Sequence, residues 1–212
     1  MKSFVKSVIF VLCLLPASYV FYAVYLAYNG ENILGPDPPI ALSLLTGTWA
    51  IRMLVLSLAI TPIRYLFNTV VVWQYRRMIG LYAFFYASLH LLVFLMFLLQ
   101  WRWADIGTEI LERPFITIGF AAYVLMLPLA MTSFNYAQRK LGRNWKRIHR
   151  TIYVISILAV LHIVWIVRSS YGDAVLYGGL VLLLLGYRLL RRHSQVVKRF
   201  SFRHPPRKVA SS

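Results

Sequence analysis

Three histidines stand in or at the edge of long apolar runs: His90, His149 and His162. Ionisable groups are costly in hydrocarbon, so they usually face the interior of a helix bundle and serve a purpose there. His90 lies about twelve residues into one run and His162 about thirteen into another of the same direction, which places the two at one depth. Two neutral imidazoles in a water-poor setting, with no carboxylate or cysteine nearby, suit a haem iron. A zinc site would want a third or fourth protein ligand at that level, and none is obvious. His149 precedes His162 by 13 residues, roughly 20 Å of helix rise, and so marks a second level nearer one membrane surface. Thirteen residues also turn the helix about 140° away from the first face, so helix tilt, or His149 lying just before the helix proper, must absorb the difference. Arg76, fourteen residues before His90, falls within about 40° of the His90 face. Arginine stays protonated and ligates iron poorly, but it suits a haem propionate or a flavin phosphate. Any one of these histidines alone is equally an interior hydrogen-bonded residue, and Arg76–Arg77 equally an ordinary basic flank. The matched depth of His90 and His162 carries the haem reading. His149 and Arg76 make a possible second site, and no residue is assigned to catalysis.

The elements that must position these residues are membrane spans. Of 212 residues, 60% are hydrophobic and 14% charged, against about 25% charged in an ordinary soluble domain. Six apolar runs are long enough to cross a bilayer, over 7–28, 41–62, 78–99, 115–133, 149–167 and 174–190. The expected fold is therefore all-α, a six-helix membrane bundle over 1–192 followed by a basic tail over 193–212 that holds His193 and His204. The first run is too long for the apolar core of a signal peptide, so it reads as an uncleaved helix. Its Cys13 is the single cysteine; it excludes an internal disulfide and reads as a small buried hydrophobe. Trp101, Trp103, Trp145 and Trp165 sit near span ends and read as an interfacial belt.

Charge sorts by side. Nineteen of the 23 lysines and arginines fall at the termini or in the connectors before spans three and five, while all six acidic residues fall in the opposite connectors. By the positive-inside rule the basic side, with both termini, is cytoplasmic. The net charge of +17 is thereby explained without nucleic acid, and it leaves membrane lipid or an acidic donor as partners for that face. Arg52 is the exception: it lies inside span two, where pairing with a propionate, snorkelling or a shifted span boundary would relieve it.

Four segments carry a family resemblance: ITPIRYL at 60–66, RRMIGLYAFFYASLH at 76–90, RPFITIG at 113–119 and the stretch from Leu129 to Trp165. In their order and spacing they resemble the MsrQ (YedZ) family, haem-binding membrane subunits of periplasmic methionine sulfoxide reductase systems. That family lies within the ferric reductase-like transmembrane superfamily, and the resemblance covers nearly the whole chain except the tail. It implies haem b at His90 and His162, with His149 as a third haem-linked histidine. It further implies bound FMN and an inner-membrane location. The partner it implies is the periplasmic molybdopterin enzyme MsrP, which repairs oxidised methionine in envelope proteins. The wider superfamily carries two histidines on each of two helices, and Arg76 stands at one such place here.

The chain has no GxGxxG fingerprint and no room for a dinucleotide-binding domain, so electrons must come from a separate donor, a cytoplasmic flavin reductase or quinol. The competing functions are a quinol-oxidising cytochrome b or a ferric reductase, a proton-linked transporter, and a structural tether. Against a transporter stand the absence of carboxylates within the spans and of a clear inverted repeat.

Overall fold

The computed structural model describes residues 2–31, 33–68, 74–166 and 171–203. Among these residues every regular element is helical, and six helical segments are long and apolar enough to cross a membrane. The spans are α1 (Lys2–Tyr28), α2 (Pro38–Leu66), α3 (Arg76–Val93) with the π-helical turn that continues it to Leu98, α5 (Pro114–Met131), α8 (Ile152–Ile166) with the turns that lead into it from Arg143, and α9 (Gly172–Arg203). Shorter helices α4 (Ile106–Glu112) and α6 (Asn135–Leu141) fill connectors, and α7 (Arg143–Ile148) begins the fifth span. This is the expected six-helix bundle of a multi-pass membrane protein. The tail from 193 onward is only partly described: α9 continues to Arg203, His193 is exposed, and His204 lies outside the described residues.

Two antiparallel hairpins form the centre. α2 packs along α3, and α5 along α8; α9 closes against α2 and α8, and α1 leans on α2 and α3. The pairing directions follow from side-chain contacts. Ser43 meets His90 near one end of the first hairpin, while Gly80 faces Ser57 near the other. In the second, Phe115 meets His162 and Thr132 meets His149. Arg52 reaches Tyr177, and Arg188 reaches Thr61, so α9 runs parallel to α2. The start of α1 and the far part of α9 therefore lie at one end of the bundle, with Arg76, Arg77 and His149. That end is the basic one; the acidic connectors occupy the other.

The core is narrow, because in a bilayer only the inward stripe of each helix needs protein around it. Tyr86, Leu58, Ile155, Thr46 and Ser156 are its most enclosed side chains. The outward faces display leucine, valine and phenylalanine, as at Leu182, Leu183, Val154 and Phe21, which hydrocarbon solvates without penalty.

Proline inside spans is tolerated where neighbours satisfy the backbone groups it frees. Pro16 lies within α1. One residue on, the hydroxyl of Tyr86 from α3 donates to the Cys13 carbonyl (2.6 Å) and accepts from the Ala17 amide (3.1 Å). Those are the groups that an unbroken helix would pair with each other. Tyr82 likewise donates to the Phe10 carbonyl (2.9 Å), so two tyrosines of α3 hold the first span along its proline segment. Asp37 caps α2 by accepting from the Ile40 amide, with proline in the first turn.

Candidate haem site and its relatives

His90 and His162 face each other across the two hairpins. Their ring centroids lie 6.2 Å apart with an interplanar angle of 82°. Each is oriented in the same way by the helix beside it. His90 Nδ1 lies 2.9 Å from the Ser43 carbonyl of α2, and His162 Nδ1 lies 2.6 Å from the Phe115 carbonyl of α5. A carbonyl only accepts, so Nδ1 carries the proton in both rings and Nε2 is left with its lone pair. That is the tautomer a metal ligand needs, held by the backbone bond that commonly supports metal-binding histidines.

Glycine makes the approach possible. A Cβ at Gly47 of α2 would lie 3.2 Å from the His90 ring, and a Cβ at Gly119 of α5 would lie 2.7 Å from the His162 ring. Each imidazole thus lies close against bare backbone, tightly at Gly47 and, at Gly119, nearer than any side chain would permit without a shift.

These contacts repeat. Both histidines bond to a carbonyl 47 residues earlier in the chain. Both rest on a glycine 43 residues earlier, Gly47 for His90 and Gly119 for His162. The α2–α3 hairpin and the α5–α8 hairpin are therefore equivalent at the site, offset by the 72 residues that separate His90 from His162. Sequence reasoning sought an inverted repeat and missed this parallel one. Its signal was the pairing of a glycine with a histidine 43 residues on, present twice.

The separation fits a shared metal. The 6.2 Å between ring centroids leaves room for one metal atom between the two imidazoles. Among the described residues no group of three or more His, Cys, Asp or Glu gathers here or elsewhere. A two-histidine set of this kind suits an iron whose remaining positions a macrocycle fills. Directly after His90 the helix loosens to a π-helical stretch, Phe94–Leu98, a distortion frequent beside functional sites.

His149 lies at the other level. It occupies a 3₁₀ turn, His149–Thr151, between α7 and α8. His149 thus lies just before the helix proper, which absorbs the mismatch of the 13-residue phase. Its Nε2 is 3.1 Å from the Thr132 hydroxyl of α5, and Trp145 stacks on its ring at 4.0 Å. Trp145 also donates from Nε1 to the Thr132 carbonyl, so it is a packing partner of His149 rather than a belt residue. Trp101 and Trp103, by contrast, are exposed at the acidic end, their rings 5.2 Å apart and tilted by 39°. Arg76 and Arg77 both act electrostatically on His149 but diverge in setting. Arg77 is exposed and donates to Asn135, whereas Arg76 is half-buried and turns into a basic cavity with Arg188. Arg52 bonds to the Tyr177 hydroxyl (3.1 Å) and lies over the Trp49 ring, which relieves its charge without an anion.

Residues 46–160 match the family described as ferric reductase like transmembrane component. A protein of Xanthomonas euvesicatoria named protein-methionine-sulfoxide reductase heme-binding subunit MsrQ is 49% identical over 166 residues, 78% of this chain and 76% of the relative. The protein of that name in Xanthomonas campestris is 47% identical over 180 residues, 84% and 82% of the two chains. The one in Polaromonas naphthalenivorans is 39% identical over 199 residues, 92% and 89%. No solved structure matches the chain. The family match covers more than half of the chain and the relatives are 39–49% identical over 78–92% of it, and on that ground this chain belongs to the MsrQ family, within the ferric reductase-like transmembrane proteins.

Proposed function

We propose that this chain is the haem-carrying electron-transfer subunit of a protein-methionine-sulfoxide reductase system in the bacterial inner membrane. The paired, identically oriented imidazoles of His90 and His162 carry the reading. They would hold haem b, which would supply a one-electron couple when bound. The Ser43 and Phe115 carbonyls fix the imidazole tautomer and raise ligand basicity. Gly47 and Gly119 hold the two rings in register, and the surrounding apolar helices keep water out.

Electrons enter at the basic end, which the positive-inside rule assigns to the cytoplasm, from a flavin reductase or quinol. They leave at the acidic end to MsrP, the molybdopterin enzyme that performs the sulfoxide chemistry. His149, with Thr132 and Trp145 around it and Arg76 close by, is the place for a second haem. FMN is the further cofactor implied by the family likeness.

The test is spectroscopic. Purified protein should show a Soret band and bound iron. His90→Ala and His162→Ala should each abolish the band at the first level, and His149→Ala should leave that band in place. Retention of full haem content in both His90→Ala and His162→Ala would overturn the assignment. Complementation of methionine sulfoxide repair by these variants separates electron transfer from simple tethering, since a tether would tolerate both changes.

A further inference from the structure

At the basic end, α2, α3, α8 and α9 enclose a cavity of about 180 Å³ lined by Thr61, Tyr65, Arg76, Tyr153, Tyr187, Arg188, Arg191 and Arg192. Four lining residues are arginines and none is acidic. Like charges at this spacing repel, and burial in a membrane bundle magnifies the repulsion. Protein groups offset it only in part. Arg188 donates from Nη2 to the Leu58 carbonyl (2.7 Å) and to the Thr61 hydroxyl (2.9 Å), and its guanidinium lies over the Tyr153 ring. Its Nε and Nη1 are buried and have no hydrogen-bond partner among the described residues. Arg191 lies over the Tyr65 ring and donates to the Tyr187 hydroxyl (3.2 Å). Arg76 and Arg188 act on each other as like charges.

A basin lined by four arginines and no carboxylate is strongly electropositive and favours an anion. The volume is well below the ~300–1,000 Å³ of sites that enclose a whole small molecule, so the basin takes a group rather than an entire cofactor. A compact dianion with several acceptor oxygens best matches a basin lined by four arginines.

We propose that this basin is a phosphate-binding site, taking the phosphate of a ligand whose remainder projects outward. It is argued independently of the haem reading and would stand if that reading failed. The phosphate has two possible sources, an anionic phospholipid headgroup at the membrane surface or a soluble phosphomonoester from the aqueous side.

The experiment uses the full-length chain as purified, with its native cofactor content, in nanodiscs. One arm titrates FMN against riboflavin, the same ring without a phosphate, in phosphatidylcholine discs and reads fluorescence quenching. The other arm compares retention of phosphatidylglycerol and phosphatidylcholine by native mass spectrometry. In whichever arm binding occurs, Arg188→Gln should weaken it about tenfold or more, and Arg188→Lys should restore part of it. Tight FMN binding that riboflavin does not share assigns the soluble source; selective phosphatidylglycerol retention assigns the lipid. Three results would overturn the proposal. They are no phosphate-dependent binding in either arm, binding unchanged in an Arg188→Gln/Arg191→Gln double variant, or loss of binding accompanied by equal loss of haem. The last would assign the arginines to haem carboxylates instead. Retained helical circular dichroism in the variants separates each result from misfolding.

Discussion

Replacing Gly119 by alanine tests the site more sharply than removing a histidine, because it leaves every ligand in place. The new Cβ would lie 2.7 Å from Cε1 and Nδ1 of His162. Ordinary contact begins near 3.4 Å, so the ring must retreat by about 0.7 Å. It has little freedom to do so, since Nδ1 is held 2.6 Å from the Phe115 carbonyl. Functional constellations tolerate displacements of about 0.5 Å, and loss of a supporting hydrogen bond to a metal ligand typically costs 10–100-fold in affinity. Gly119→Ala should therefore weaken haem binding about 10–100-fold. Gly47→Ala is the internal control, because its Cβ would meet the His90 ring at 3.2 Å and ask for a shift of only about 0.2 Å. It should change affinity by no more than about threefold. Alanine favours helix over glycine by about 1 kcal/mol, so weaker binding in Gly119→Ala cannot be charged to a weaker helix. Haem titration of the apoprotein, followed at the Soret band, measures both variants. Equal affinities for wild type, Gly47→Ala and Gly119→Ala would refute the claim that these glycines seat ligating rings.

Other outcomes follow from the same contacts. Tyr86→Phe removes the hydroxyl shared by the Cys13 carbonyl and the Ala17 amide, and should lower stability by about 1–3 kcal/mol in a detergent unfolding assay; an unchanged midpoint would show that α1 closes its own helix there. Thr132→Val removes the hydroxyl beside His149 Nε2, and should perturb reduced-minus-oxidised spectra only in a component that His149→Ala also removes. A shift in the His90–His162 component would place the two levels in direct contact. A fluorescent protein fused after Ser212 should be bright and an alkaline phosphatase fusion inactive, because the basic end is assigned to the cytoplasm. The reverse pattern would invert the proposed direction of electron flow.

Much of the architecture was legible from composition alone. Six apolar runs and the sorting of charge follow from the cost of placing polar groups in hydrocarbon, a constraint that acts on each segment separately and so is visible without tertiary contacts. The choice of His90 and His162 was legible for the same reason: two imidazoles at matched depth are conspicuous in apolar surroundings. The role of Trp145 was not. Its position near a span end is equally that of a belt residue, and only the fold lays it on His149. Arg52 was ambiguous until α9 brought Tyr177 to it.

What the sequence by itself determined, then, is the all-helical membrane character, the separation of a basic from an acidic end, and the residues able to ligate at two depths. Only the tertiary structure decided how the rings are held. The carbonyls of Ser43 and Phe115 are bound far along the chain from the histidines they orient, and Gly47 and Gly119 matter only because another helix presses on them. The gathering of Arg76 with Arg188, Arg191 and Arg192 is of the same kind. Spacing within a span reports which residues share a depth and a face; which faces meet depends on the packing of helices distant in sequence, and no local pattern records it.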